Sequence, residues 1–325
     1  MNPPRREPPS AGGGRARRGS PPPRRDGGFK PRPGAPSGGG GGGGGRRGPG
    51  GPGPGFAGFV DFDRQERPAK GIGGEQVEGR QAVRELLLAG RRRAKEIFLA
   101  DWQEQAAILS EIEQLADEAR TPVRRIGKTQ LDLMARTEHP QGVIARASPI
   151  PEADYEALLR YRGAPTETHP KGRMPFLVVV DGVTDPQNLG ALLRSAEGAG
   201  VTGVVLPRHR SVHVTPSVTK AAAGAVEHLP IALVGGLPTA LLQAKQQEAW
   251  VVGLDADGAT TIYQLGQFAD SPLLVVVGAE GAGMSRLVRE RCDVVAAIPL
   301  RGAINSLNAA TAGAIALFEL GRQRA

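Results

Sequence analysis

The chain has 325 residues, enough for two domains, with 39% hydrophobic and 23% charged residues and a net charge of +8. Its one cysteine, Cys292, excludes an internal disulfide, and no stretch is long and apolar enough for a signal peptide or a membrane span. The basic excess is confined: residues 1–55 carry 11 Arg and Lys against Glu7 and Asp26, whereas 56–325 hold 30 basic and 31 acidic residues.

Residues 1–70 are rich in Gly, Pro and Arg, with an unbroken glycine run at Gly38–Gly45. Such a composition buries too little apolar surface to offset the entropy of ordering, so a disordered arm and linker are expected there. Its arginines would hold RNA phosphates in a salt-sensitive way, or serve only to solubilise the chain. Its prolines and glycines oppose the amphipathic helix of an organellar transit peptide. A cytoplasmic protein is expected, in keeping with the single cysteine.

Folding signals begin near residue 71. Gln76–Leu88 places Val77, Val83, Leu86, Leu87 and Leu88 on a helical stripe that ends at Gly90. Strands are expected at Glu96–Ala100, Pro122–Ile126 and Gly142–Ala147. Helices are expected at Gln103–Ala119, with Ile108, Ile112 and Leu115 inward, and at Lys128–Ala135. The alternation predicts a small α/β domain over 71–150. Arg91, Arg92, Arg93, Arg124 and Arg125 are its candidate phosphate contacts, the alternative being a solvated charged face. Residues 151–174, with Pro151, Pro165 and Pro170 around a short helix-like piece, read as an interdomain linker.

From 175 to 325, strands at Phe176–Val180, Gly203–Leu206, Leu229–Leu233, Trp250–Leu254, Leu273–Val277 and Val294–Ile298 alternate with helical segments, which predicts a largely parallel sheet. After the first strand, a helix starts near Pro186–Asn188 and buries Leu189, Leu192, Leu193 and Ala196, leaving Arg194 off that face. Asn188 and Arg194 are about 9 Å apart in helical rise, enough to span a ribose and its phosphate. The Leu274–Val277 strand empties into a glycine-rich turn, where Gly278 would let backbone approach a ligand; Glu280 sits in the same turn, where its carboxylate can satisfy turn N–H groups. A dinucleotide-binding turn is the competing reading, but Glu280 stands where its second glycine belongs. Val294–Ile298 reads as a fully buried strand stopped by Pro299. Asn305 or Ser306 would then cap a helix on which Leu307, Ala310, Ala314, Leu317 and Phe318 recur, with Ser306 and Asn308 among the free N–H groups of its first turn. His209 and His213 lie in a loop framed by Pro207 and Pro216, and no metal site is expected.

Three stretches, DPQNLGALLR, VVGAEGAGM and IPLRGAINSLNAA, resemble in order the three motifs of the SpoU (TrmH) family of RNA ribose 2′-O-methyltransferases. The resemblance covers about residues 74–325. It implies a trefoil-knotted SPOUT methyltransferase domain over 175–325, a homodimer, and S-adenosyl-L-methionine as cofactor. Its adenosine would lie against Gly278, the backbone of Ile298, and Leu307. Asn188, Arg194, Glu280, Ser306 and Asn308 would form the catalytic site. Because a guanidinium is a poor proton acceptor, Arg194 is expected to stabilise the developing alkoxide or clamp a phosphate. The domain at 71–150 is similar to the RNA substrate-binding domain of the branch that methylates a guanosine in 23S rRNA. A tRNA or another rRNA site is the alternative, as is a non-catalytic RNA-binding assembly factor. One departure is Ala309-Ala310, where the family's commonest form has Val-Ser.

Overall fold

The computed structural model describes residues 71–101, 106–164, 172–209 and 213–324, so the amino-terminal arm lies outside it. All described residues fall in one compact unit, which carries two sheets. The first half runs β1 (Gln76–Glu78), α1 (Arg80–Ala89), β2 (Ala94–Ala100), α2 (Ala107–Glu118), β3 (Val123–Ile126), α3 (Lys128–Met134) and β4 (Val143–Ala147). Its sheet has the order β1-β4-β2-β3, with β4 antiparallel to β1 and β2, and β2 parallel to β3. Alternation along β2 sends Ile97 and Leu99 to the α1/α2 side and Phe98 and Ala100 to the α3 side, giving a small core on each face.

The expected helix at Gln76–Leu88 is corrected at its start. Gln76–Glu78 pair with β4, and Gly79, at φ 95°, turns the chain before α1 begins. Val77 is therefore a strand residue facing the core, not the first residue of a helical stripe.

The stretch expected as a linker contains α4 (Tyr155–Leu159), capped by the Asp154 carboxylate. Tyr155, Leu158 and Leu159 are buried, and the Tyr155 hydroxyl donates to the Ala240 carbonyl at 2.7 Å. These residues close one face of the second sheet rather than spacing two domains.

That second sheet is built from β5 (Phe176–Asp181), β6 (Gly203–Pro207), β7 (Ile231–Val234), β8 (Trp250–Leu254), β9 (Thr260–Thr261), β10 (Leu273–Gly278) and β11 (Val294–Ala297). The order is β7-β6-β5-β10-β8-β11-β9, parallel throughout. Buried on both faces, β5 and β10 are unbroken Val/Leu runs, as a central parallel strand requires. One face is covered by α5 (Pro186–Gly198), α6 (Pro216–Ala221) and α9 (Ala309–Gln323). The other is covered by α4, α7 (Leu237–Gln246) and α8 (Arg286–Arg289). β11 is only partly buried, because its outer neighbour β9 is two residues long; the expectation of a fully buried strand there does not hold.

Parallel pairing puts every carboxyl-terminal strand end on one edge of the sheet. Chain order reverses there between β5, which leads outward to β6, and β10, the place where open α/β sheets bind ligands.

Candidate active site

Three loops converge at that edge. The Asp185 carboxylate caps α5 by accepting from the N–H groups of Gln187 (3.1 Å) and Asn188 (3.3 Å), with Pro186 at the first helical position. This fixes Asn188 at the helix start. The turn after β10 presents Glu280, and the loop after β11 delivers Asn308. Asn188 Nδ2 donates to Glu280 Oε2 (3.2 Å), Asn308 Nδ2 donates to Asn188 Oδ1 (2.7 Å), and Asn308 Nδ2 also reaches Glu280 Oε2 (3.4 Å). Residues 92 and 120 positions apart thus close a triangle of two amides and one carboxylate.

Asn308 has a second task. Its Oδ1 accepts from the N–H groups of Ala310 (2.9 Å) and Thr311 (3.2 Å), so it is itself the cap of α9. The cap expected at Asn305 or Ser306 is therefore corrected by two or three residues. Ser306 sits in the exposed loop before the helix, outside its first turn. Ile315 and Phe318, the latter expected on the buried stripe, are exposed on α9, whose inward face is Ala309, Ala310, Gly313, Ala316, Leu317 and Leu320.

Beside the triangle lies a pocket of about 420 Å³. Gly278, Ile298 and Leu307 all line it, with Glu280 and Ser306 at its wall. Apolar sides from Leu254, Val277 and Leu300 and carboxylates from Asp255 and Asp257 suit a ligand with a flat apolar part and hydroxyl groups. Gly278 is glycine for a reason other than ligand approach. A Cβ there would lie 2.3 Å from the carbonyl carbon of Gly283 and 2.4 Å from the Met284 nitrogen, so the bare backbone lets the turn close on itself. The Ala279–Gly283 pair of backbone hydrogen bonds does close it, at 3.0 and 2.9 Å.

Arg194 is not brought to this cluster within the chain. It is exposed, roughly 120° around α5 from Asn188; it does not line the pocket and makes no hydrogen bond or ion pair among the described residues. The five candidate phosphate contacts divide. Arg91 and Arg93 are exposed, as are Arg124 and Arg125, which pair with Glu96 (2.5 Å) and Glu113 (2.6 Å). Arg92 is corrected: its side chain is 2% exposed and bound to Glu227, leaving no surface for a phosphate. Among the described residues no His, Cys, Asp and Glu group is arranged to hold a metal, and no helix is long and apolar enough to cross a membrane.

Residues 175–318 match the model of the SpoU rRNA Methylase family, and residues 76–153 match that of RNA 2′-O ribose methyltransferase substrate binding. The 23S rRNA (guanosine-2′-O-)-methyltransferase RlmB of Pseudomonas putida is 39% identical over 250 residues, 77% of this chain and 97% of that protein. The chain belongs to the SpoU/TrmH family of RNA methyltransferases. A Staphylococcus haemolyticus relative, 37% identical over 76% of this chain and 95% of its own, is described only as far as the TrmH family of tRNA/rRNA methyltransferases. Among solved structures, the SpoU methyltransferase AviRb from Streptomyces viridochromogenes in complex with AdoMet superposes with a TM-score of 0.60. It is 24% identical, and the match covers 77% of this chain and 90% of AviRb.

In this SpoU/TrmH protein, sequence reasoning missed the acidic wall of the pocket. Asp255 and Asp257 follow β8, and Asp255 is held by an ion pair with Arg289. The signal was present: Leu254-Asp255-Ala256-Asp257-Gly258 leaves a parallel strand at its carboxyl end, as the three motifs do. Gly258 passes so close to β11 that a Cβ would meet the Ala296 carbonyl carbon at 2.5 Å.

Proposed function

We propose that this protein transfers a methyl group from S-adenosylmethionine to the ribose 2′-hydroxyl of a guanosine in 23S rRNA. The observation that carries this is the likeness to the Pseudomonas RlmB across 97% of that enzyme's length, substrate-binding and catalytic parts together. When bound, S-adenosylmethionine supplies an electrophilic methyl on its sulfonium. The pocket walls at Gly278, Ile298 and Leu307 would hold the adenosine, with the Asp255 and Asp257 carboxylates available to its hydroxyls. Asn188, Glu280 and Asn308 lock the three loops, so that the ribose meets a fixed frame and little orientational entropy is lost at the moment of reaction. Ser306, on the exposed loop, contributes a hydroxyl at the pocket's wall.

Arg194 stabilises the developing alkoxide or clamps the neighbouring phosphate. Its place apart from its own chain's cluster supports a homodimer in which Arg194 serves the site of a second copy. Ile304, at 75% exposure, and Phe318, at 52%, offer the apolar contacts for that dimer. A cytoplasmic location fits an enzyme whose substrate is ribosomal RNA.

The test is methyl transfer from labelled S-adenosylmethionine to total RNA from a strain lacking this gene, with the modified ribose mapped. Label on one 23S rRNA guanosine is the expected result. Label confined to tRNA, a substrate named beside rRNA in the description of the staphylococcal relative, overturns the substrate and keeps the reaction. Cofactor binding without any labelled RNA favours an assembly factor.

A further inference from the structure

The Arg92–Glu227 ion pair is deeply buried, each side chain being 2% exposed. It joins the two sheets. Arg92 lies between α1 and β2 of the first half. Glu227 ends the 3₁₀ turn Ala225–Glu227 that follows α6 of the second. Arg92 Nε donates to Glu227 Oε2 at 2.8 Å and Nη2 to Oε1 at 2.6 Å, a two-pronged geometry that fixes direction as well as distance.

The remaining edge of the guanidinium is more informative. Nη1 donates to the carbonyls of Gly74 (2.7 Å) and Ser148 (2.5 Å). Gly74 lies just before β1 and Ser148 just after β4, so these are the two points where the chain crosses into and out of the first half. Any hinge between the halves would have to bend there. One side chain therefore holds both crossings and the opposing half at once, using four of its five N–H groups.

Further contacts hold the same seam. Arg91 Nη1 donates to the Glu227 carbonyl (3.2 Å), His228 Nε2 lies 2.9 Å from Glu85 Oε2, and Lys220 of α6 donates to the His139 carbonyl. Gly224, at φ 87°, admits α1 so closely that a Cβ would lie 2.4 Å from the Glu85 Cβ.

A buried ion pair rarely adds stability over an apolar pair of the same volume, because both charges lose their hydration. Its two parallel hydrogen bonds do restrict direction as well as distance. We propose that Arg92 and Glu227 are positioning residues that fix the angle of the RNA-binding half on the catalytic half, and so select which ribose of a bound RNA reaches the Asn188–Glu280–Asn308 cluster. The inference rests on the proposed function only in taking RNA as the substrate.

The decisive variant is the full-length double substitution Arg92→Met/Glu227→Leu, which fills the space without charge. Two measurements judge it. The first is the distance distribution between spin labels at the exposed positions 118 and 246, in a Cys292→Ala background. A single narrow distance in the parent and a broadened one in the double variant are expected; equal widths overturn the proposal. The second is ribose-methylation mapping on rRNA, with S-adenosylmethionine affinity measured alongside. Cofactor affinity within twofold, with at least tenfold lower kcat/KM at the native site or methylation at neighbouring riboses, is expected. A native site profile at native kcat/KM overturns it. If the double variant does not fold, Glu227→Gln, which keeps the shape and loses the charge, is read by the same two measurements. A parent enzyme that labels no RNA speaks against the proposed function, while the spin-label distances still judge the hinge.

Discussion

Asn308 performs two jobs with the two ends of one amide, and substitution can separate them. Asn308→Ala removes the cap of α9, at a cost of ~1 kcal/mol, and releases both Asn188 and Glu280. Asn308→Asp keeps an oxygen for the cap but sets a second carboxylate against Glu280. The expected result is a melting temperature near the parent's for Asp and a lower one for Ala, with methyl transfer reduced at least tenfold in both. An active Asn308→Asp enzyme would show that the triangle is dispensable. Cys292 gives a prediction in pH. Burial, aided by Asp293 beside it, pushes its thiol from the ordinary 9.0 up to about 11. The folded state thus favours the neutral thiol. Its contribution to stability is fully present below about pH 9 and is lost as pH rises through about 11. Alkylation of this half-buried thiol at pH 8 should be slower in the native enzyme than in denaturant; equal rates would contradict the raised pKa.

Among the elements, the turn after β10 is the least forgiving. Gly278→Ala places a methyl within 2.4 Å of two backbone atoms, with no flexible side chain to yield. Thermal or urea unfolding should register a loss of ~1–3 kcal/mol, with weakened cofactor binding because Glu280 moves with the turn. Gly190 sets a second close approach, since a Cβ on α5 would meet the Ala221 Cβ at 2.4 Å and the Ala222 nitrogen at 2.9 Å on α6. Elements of this kind explain what the sequence made legible. The long Val/Leu runs of β5 and β10 and the helix opened by Asp185-Pro186 announce themselves, since burial and capping are local signals. β1 did not: Val83, Leu86 and Leu87 set a helical stripe, and Val77, which the helical reading joins to that stripe, lies half a turn off it and beyond Gly79, so the spacing does not include it. The cap of α9 was misplaced because Asn305, Ser306 and Asn308 are all good caps, and only the position of Asn188 decides among them. Arg92 was unreadable for the same reason: its partner is 135 residues away.

At the scale of the whole molecule, the described residues include most of the stretches that match the family, whereas the strongly basic arm precedes residue 76, where those matches begin. Replacing Arg15, Arg17, Arg18, Arg24, Arg25, Arg46 and Arg47 with Gln in the full-length chain tests the arm. The slope of log affinity against log salt should fall by ~0.7 for each single-strand phosphate that the arm no longer neutralises, with kcat unchanged. An unaltered slope would leave the arm a solubilising role. The way the chain joins the folded unit gives this prediction its reach. Ile72 is buried in the core of the second sheet, and Gly73 bridges to Val214, next to the Thr215 cap of α6. Val214 lies between β6 and α6, so the chain enters the folded unit against the catalytic half. A charged segment joined to the catalytic unit would raise the local concentration of captured RNA without altering any side chain of the pocket. Severed from that unit, the same residues would keep their charge and forfeit that advantage.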